Sequence, residues 1–200
     1  MMGTPSGRAG RLWLRHRLDT AEHAVDLLQR SLRVMRDERE RMRLRAARTE
    51  AEWRTRCAEA EALVLRATLV CGRRALPLAT PAEHAHVTID HAVTMGVRHP
   101  AHATCTAPHE HSRAPDGLAF ASARRACQDA LQAACAHAAT TTALAALDRE
   151  ITATRQRLRA TERRWLPHLR IALAQIEFVL EEQEREDKAR LRRGTAREPA

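Results

Sequence analysis

The sequence predicts an all-α protein: a long antiparallel two-helix coiled coil with a small irregular or β-hairpin insert at its turn end. Three observations carry that prediction. Glycine and proline are absent between Arg11 and Cys71, and between Leu118 and Arg193 only Pro167 interrupts. Five of the eight prolines fall between those two stretches. The chain of 200 residues has only five aromatic side chains and is 30% charged, a composition that suits exposed helices and not a β sandwich.

The chain divides by this punctuation into residues 1–10, a disordered N-terminal segment; 11–75, the first long helix; 76–116, a Pro/His-rich insert; 117–193, the second long helix; and 194–200, a disordered tail. At about 1.5 Å per residue, either helix would run for roughly 90–115 Å.

In the first helix, Leu14, Leu18, Ala21, Val25, Leu28, Leu32, Met35, Arg39, Met42, Ala46, Thr49 and Trp53 alternate spacings of four and three. A heptad stripe sustained this long is a coiled-coil seam, with Arg39 and Thr49 as its polar exceptions. It restarts after a four-residue stutter at Cys57, Ala60 and Val64. The second helix answers with Leu144, Leu147, Ile151, Leu158 and Trp165, then continues one residue out of phase as Leu166, Leu169, Leu173, Ile176 and Leu180. Pro167 lacks an N–H for the carbonyl of Arg163, which predicts a slight bend. Two apolar stripes of similar length on one chain bury themselves most simply against each other. Plain core packing is expected for Trp53 and Trp165.

In the insert, Val87, Ile89 and Val93 alternate with polar residues, Met95-Gly96-Val97 reads as a turn, and Ala101 to Thr106 supplies a second strand. Seven of the eleven histidines lie between His84 and His111, but their spacings match no standard zinc module, so no metal site is predicted. Five cysteines without a CxxC pair are read as reduced thiols of a cytosolic protein. A single lysine, Lys188, outside any GxxxxGK[ST] context excludes a P-loop, and no GxSxG, HExxH or GxGxxG is present. The residues predict no catalytic group and no cofactor. No stretch is apolar enough to span a bilayer or to serve as a signal peptide.

The net charge of +9 is concentrated in two places. Arg30 to Arg48 holds eight arginines against three acids, and Arg155 to Arg164 holds five against one. In an antiparallel hairpin Arg33 and Arg36 fall at the height of Arg157 and Arg159, forming a positive collar that would contact a partner. A solvated helix face is the alternative reading of such a run. A basic coiled-coil protein that binds nucleic acid is the alternative function, weakened by interleaved acids and the lack of aromatic platforms.

Four segments resemble one family. The run Arg157-Leu158-Arg159-Ala160-Thr161-Glu162, followed by Pro167-His168-Leu169, resembles the RVNALE…P-x-L signature of the D subunit of V-type and A-type rotary ATPases. Leu180 to Asp187, followed by Arg190-Leu191-Arg192, resembles that family's LDEMEREE…RLK tail. Gly96-Val97-Arg98-His99-Pro100 is similar to its GVxxP, and Leu18 to Leu32 resembles its LxxAxxGxxLLKxKRxxL segment. Order and spacing agree for all four, so the resemblance covers nearly the whole chain.

The resemblance implies a non-catalytic central rotor shaft. Such a shaft couples ATP hydrolysis or synthesis in an A/B hexamer to proton (or sodium) transport. Its implied partners are the A and B subunits, the F subunit and a connector on the membrane rotor ring. Neither nucleic acid nor direct membrane insertion is expected, and the location is cytoplasmic, peripheral to the membrane. Glu162, Pro167, Glu182, Arg185, Gly96 and Val97 are the further contact residues that it implies.

Overall fold

The computed structural model describes residues 6–74, 77, 83–107 and 117–195. Helix α1 spans Gly7–Cys71; strands β1 (His86–Thr94) and β2 (Val97–Thr106) follow; then come α2 (Leu118–Ala160), a π-helical turn (Thr161–Trp165) and α3 (Leu166–Thr195). The fold is all-α with a small antiparallel β-hairpin between the two long helical segments. Residues 7–10, assigned from sequence to the N-terminal segment, are part of α1. His109, His111 and residues 196–200 lie outside the described residues.

α1 ends where the sequence stops supplying side chains that tolerate right-handed helix. Gly72 takes φ +81° and donates its N–H to the Thr68 carbonyl at 2.9 Å, closing the last turn. At the start of α2, the Gly117 carbonyl accepts the N–H groups of Phe120 and Ala121.

The chain forms two compact units. The first comprises residues 1–32 and 152–200, and the second residues 33–151. In the first unit the two ends of the chain run antiparallel. Arg8 pairs with Glu184, Arg15 with Glu177, Glu22 with Arg170, and Gln29 Nε2 donates to Glu162. Each partner steps forward seven or so residues on α1 and back by the same amount on the other helix, the signature of one sustained register. Between these flanking pairs Leu14, Ala21, Val25, Leu166 and Leu169 are buried, with Leu18, Leu158, Leu173 and Ile176 packed on them. Leu28 is half-buried, and Leu32 and Leu180 are buried. Because the flanking ion pairs are exposed, burial of the apolar stripe supplies most of the stabilisation.

In the second unit Met35, Ala46, Ala60 and Ala67 of α1 and Ala133, Ala143, Leu147 and Ile151 of α2 are buried. The two polar seam positions have partners. Arg39 Nε donates to the Asp148 carboxylate, and Thr49 Oγ1 lies 3.1 Å from Thr140 Oγ1 and 3.3 Å from His137 Nδ1. Trp53 stacks on the His137 ring, with centroids 5.4 Å apart and planes at 13°. The far end closes on Phe120 and Ala123 against Ala67.

β1 and β2 are joined by Met95 (φ +50°) and Gly96 (φ +82°), a two-residue loop with both central residues left-handed, as a tight hairpin requires. A register shift between Asp90 and His91 leaves Ala101 of β2 without a partner, a bulge in that strand. Val87 and Ile89 pair with Cys105 and Ala103, Val93 pairs with the exposed Arg98, and all three of these β1 side chains are exposed. Val87, Ile89 and Val93 therefore share one face of β1, and that face is exposed. His99 is buried; its Nδ1 hydrogen-bonds the Pro100 carbonyl (3.2 Å) and its Nε2 the Thr94 hydroxyl (3.0 Å). Since a carbonyl can only accept, Nδ1 carries the proton and this histidine serves the hairpin's structure.

Candidate partner-binding surface

The first unit carries an aromatic and basic surface beside the π-helical turn. Pro167 offers no N–H to the turn before it, and that turn opens into π geometry, with the Leu166 N–H donating to the Thr161 carbonyl five residues back. One extra residue is thereby absorbed. The inward stripe passes from Leu158 to Leu166, and Trp165 is swung out of the seam to 54% exposure. The expectation that Trp165 packs in the core is corrected here: the wider turn gives its place to Leu166. Trp53, half-buried against His137, does pack between the helices of the second unit.

The displaced Trp165 meets α1. Trp13 and Arg17 are four residues apart and so share one helix face. The Arg17 guanidinium carbon sits 5.2 Å from the Trp13 ring centroid and 5.4 Å from that of Trp165, held between two π faces. On either side opens a groove of about 480 Å³. One runs over Leu14, Arg164, His168 and Leu169; the other over Ala21, Ala24, Arg157 and Ala160. Both share Arg17 and Trp165, and no carboxylate is among the described residues that line them. Tryptophan and arginine on an apolar floor are the residue types that dominate binding energy at protein interfaces.

The residues singled out from sequence distribute as follows. Arg157 and Arg159 are exposed on α2 in the first unit, and Arg33 and Arg36 are exposed on α1 in the second. Glu162 accepts from Gln29 at 3.1 Å, and Pro167 is exposed directly after the π turn. Glu182 and Arg185 ion-pair with each other on α3 at 2.7 Å. Gly96 is exposed at the hairpin tip, with Val97 half-buried beside it. The Trp13–Arg17–Trp165 cluster was not singled out from sequence. Its one trace there is the single-residue phase slip between Leu158 and Leu166, next to a proline.

Electrostatics elsewhere are those of solvated pairs. Glu40 is held below its ordinary range by the hydrogen bond from Arg43 and by that residue's charge, although its own desolvation opposes the shift. Arg39 is pushed up by its hydrogen bond to Asp148 and by that carboxylate's charge. Among the described residues no group of three or more His, Cys, Asp or Glu could hold a metal ion, and no helix is long and apolar enough to cross a membrane.

Fold and surface together define a helical-hairpin protein that presents an arginine clasped by two tryptophans near its joined chain ends. The family model described as the ATP synthase D subunit matches residues 12–195, and the chain belongs to that family. The V-type ATP synthase D subunit of Anaeromyxobacter sp. (strain Fw109-5) is 42% identical over 83 residues. That stretch is 42% of this chain and spans 39% of the length of the curated relative.

Proposed function

We propose that this chain is the central rotor shaft of a V/A-type rotary ATPase. It couples ATP hydrolysis or synthesis in a ring of A and B subunits to proton (or sodium) transport. Its two ends enter the ring, and its hairpin end joins the F subunit and the connector on the membrane rotor. It performs no chemistry itself.

The observation that carries this reading is the antiparallel register of the chain's two ends, from Arg8–Glu184 through Gln29–Glu162. Two helices sharing a seam resist twisting better than one, which a torque-bearing shaft requires. Their exterior is dominated by solvated charges that interact weakly and over distance, suited to turning inside a ring without adhering to it. The Arg17 cluster interrupts that exterior on one side, and a shaft that signals its angle must be unequal around its circumference. Arg33, Arg36, Arg157 and Arg159 are assigned as further ring contacts, with Gly96 and Val97 contacts at the other end.

Co-expression with A and B subunits tests the reading. One copy of this chain should purify with each hexamer, and ATP turnover should then drive its rotation. A chain that stays out of the hexamer and instead binds duplex DNA with steep salt dependence would overturn it in favour of nucleic-acid binding.

A further inference from the structure

The β-hairpin is tied to α2 through a pair of thiols. Along β2 the side chains alternate: Arg98, His102, Thr104 and Thr106 face solvent, His99 and Ala103 are buried, and Cys105 is half-buried in phase with them. The Cys105 backbone N–H donates to Gln132 Oε1 at 2.8 Å, which fixes this point of the strand over the helix. Gln132 and Cys135 are three residues apart on α2 and so share one face. The Cys135 thiol is pushed above its ordinary range by burial and by the neighbouring Cys105.

We propose that Cys105 and Cys135 form an oxidation site that takes a small-molecule disulfide and closes into a cross-link between β2 and α2. In the first step the Cys105 sulfur, as its thiolate, attacks one sulfur of the reagent. The reagent's S–S bond breaks, one thiolate leaves and takes up the proton that Cys105 gave to solvent. In the second step Cys135 loses its proton and attacks the Cys105 sulfur of the mixed disulfide, expelling the other reagent thiol. The two protein thiols are oxidised, the reagent is reduced to two thiols, and protons balance. Cys135 lies one turn along α2 from the residue that the Cys105 backbone touches, so the two side chains can meet in the ~2.05 Å bond of a disulfide. The product staples the hairpin at a point 27 residues in sequence from its Gln132 anchor.

The test uses the full chain carrying Cys57→Ser, Cys71→Ser and Cys127→Ser, so that only the pair remains, with oxidised glutathione as the probe. At about pH 8.5, where thiolates are populated, non-reducing digestion and mass spectrometry should give one linked peptide joining Cys105 to Cys135. The mass should fall by two hydrogens, with no glutathione retained. Adding Cys135→Ser should trap glutathione on Cys105. Closure should raise Tm by about 5–10 °C, reversed by dithiothreitol. Glutathione retained on both thiols, cross-links only between chains, or a pair left unmodified while wild-type Cys71 reacts fully would each overturn the assignment. Circular dichroism of each variant, with Cys→Ala versions where Ser lowers helicity, keeps loss of fold from imitating those results.

Discussion

Arg39 and Asp148 face each other across the helix pair of the second unit, so that the one charged position in the α1 seam is neutralised from α2. Both side chains remain partly exposed, at 39% and 45%, and their attraction is therefore open to screening. Either Arg39→Ala or Asp148→Ala alone should lower Tm by a few degrees, and the double variant by no more than the worse single. The difference should shrink as salt rises to about 1 M, where the screening length is about 3 Å. Replacing both with Leu extends the apolar seam and should match or exceed the wild-type Tm. Thermal melts of the cycle at two salt concentrations check this.

Leu147 has no exposed surface and is among the largest fully buried side chains of the described residues. Leu147→Ala should cost about 2–5 kcal/mol in urea unfolding followed by circular dichroism. Leu118→Ala, at a position 92% exposed, should stay within about 0.5 kcal/mol of wild type. In the first unit, Leu173→Asp places a charge against Leu14, Val25 and Leu169 and should cost helicity as well as stability.

The π turn makes a sharper prediction. It exists because eight residues separate Leu158 from Leu166 where a heptad seam wants seven, and Pro167 cannot donate to the turn before it. Deleting the exposed Arg164 should let Thr161 to Trp165 regularise as α-helix, with seam and Tm preserved within a few degrees. The clasp on Arg17 should be lost with it, because the remaining turn no longer displaces the tryptophan in the same direction. Tryptophan fluorescence and its quenching by iodide report the change.

These particulars also mark what the sequence can convey. The seam was legible because a 3.5-residue period repeats through Leu14, Leu18, Ala21 and Val25 onward, and each repeat confirms the last. Arg39 and Thr49 stood out as exceptions, but their partners Asp148, His137 and Thr140 could not be named without the register. Trp165 was assigned to the core because an apolar residue in phase with Leu158 looks like a seam residue; only the backbone shows that the phase resets there. The same holds in the hairpin, where Ala101 of β2 is left unpaired opposite Asp90 and His91, and no residue type announces it. The anchoring of Cys105 on Gln132 joins positions that no local pattern relates.

Cys127 and Cys135 are both pushed above the ordinary thiol value of 9.0 by burial, which disfavours the charged form. The thiolate is the reactive species, so alkylation at neutral pH should reach the exposed Cys71 well before the half-buried Cys135. As pH rises past 9.0 the two raised thiols ionise, and their rates should climb toward that of Cys71. Mass-resolved iodoacetamide labelling from neutral to alkaline pH measures the order. Equal rates for Cys71 and Cys135 at neutral pH would contradict the partial burial of Cys135.

The last prediction separates binding from folding at the clasp. Trp165 is 54% exposed and Arg17 lies over it in the open, so neither side chain closes the hydrophobic seam. Trp165→Ala should therefore leave unfolding midpoints within a degree or two of wild type. If the clasp is where a ring of partner subunits meets the shaft, the same change should weaken assembly with A and B subunits by about 10-fold or more, the cost of truncating an interface tryptophan. Arg17→Glu should weaken it further, because the adjoining grooves carry Arg157, Arg164 and His168 and favour an acidic surface opposite. The Arg17 effect should diminish as salt rises, whereas the Trp165 effect, carried by apolar area, should persist. Assembly unaffected by both changes would move the contact to Arg33, Arg36, Arg157 and Arg159, whose reversal to Glu is then the deciding measurement.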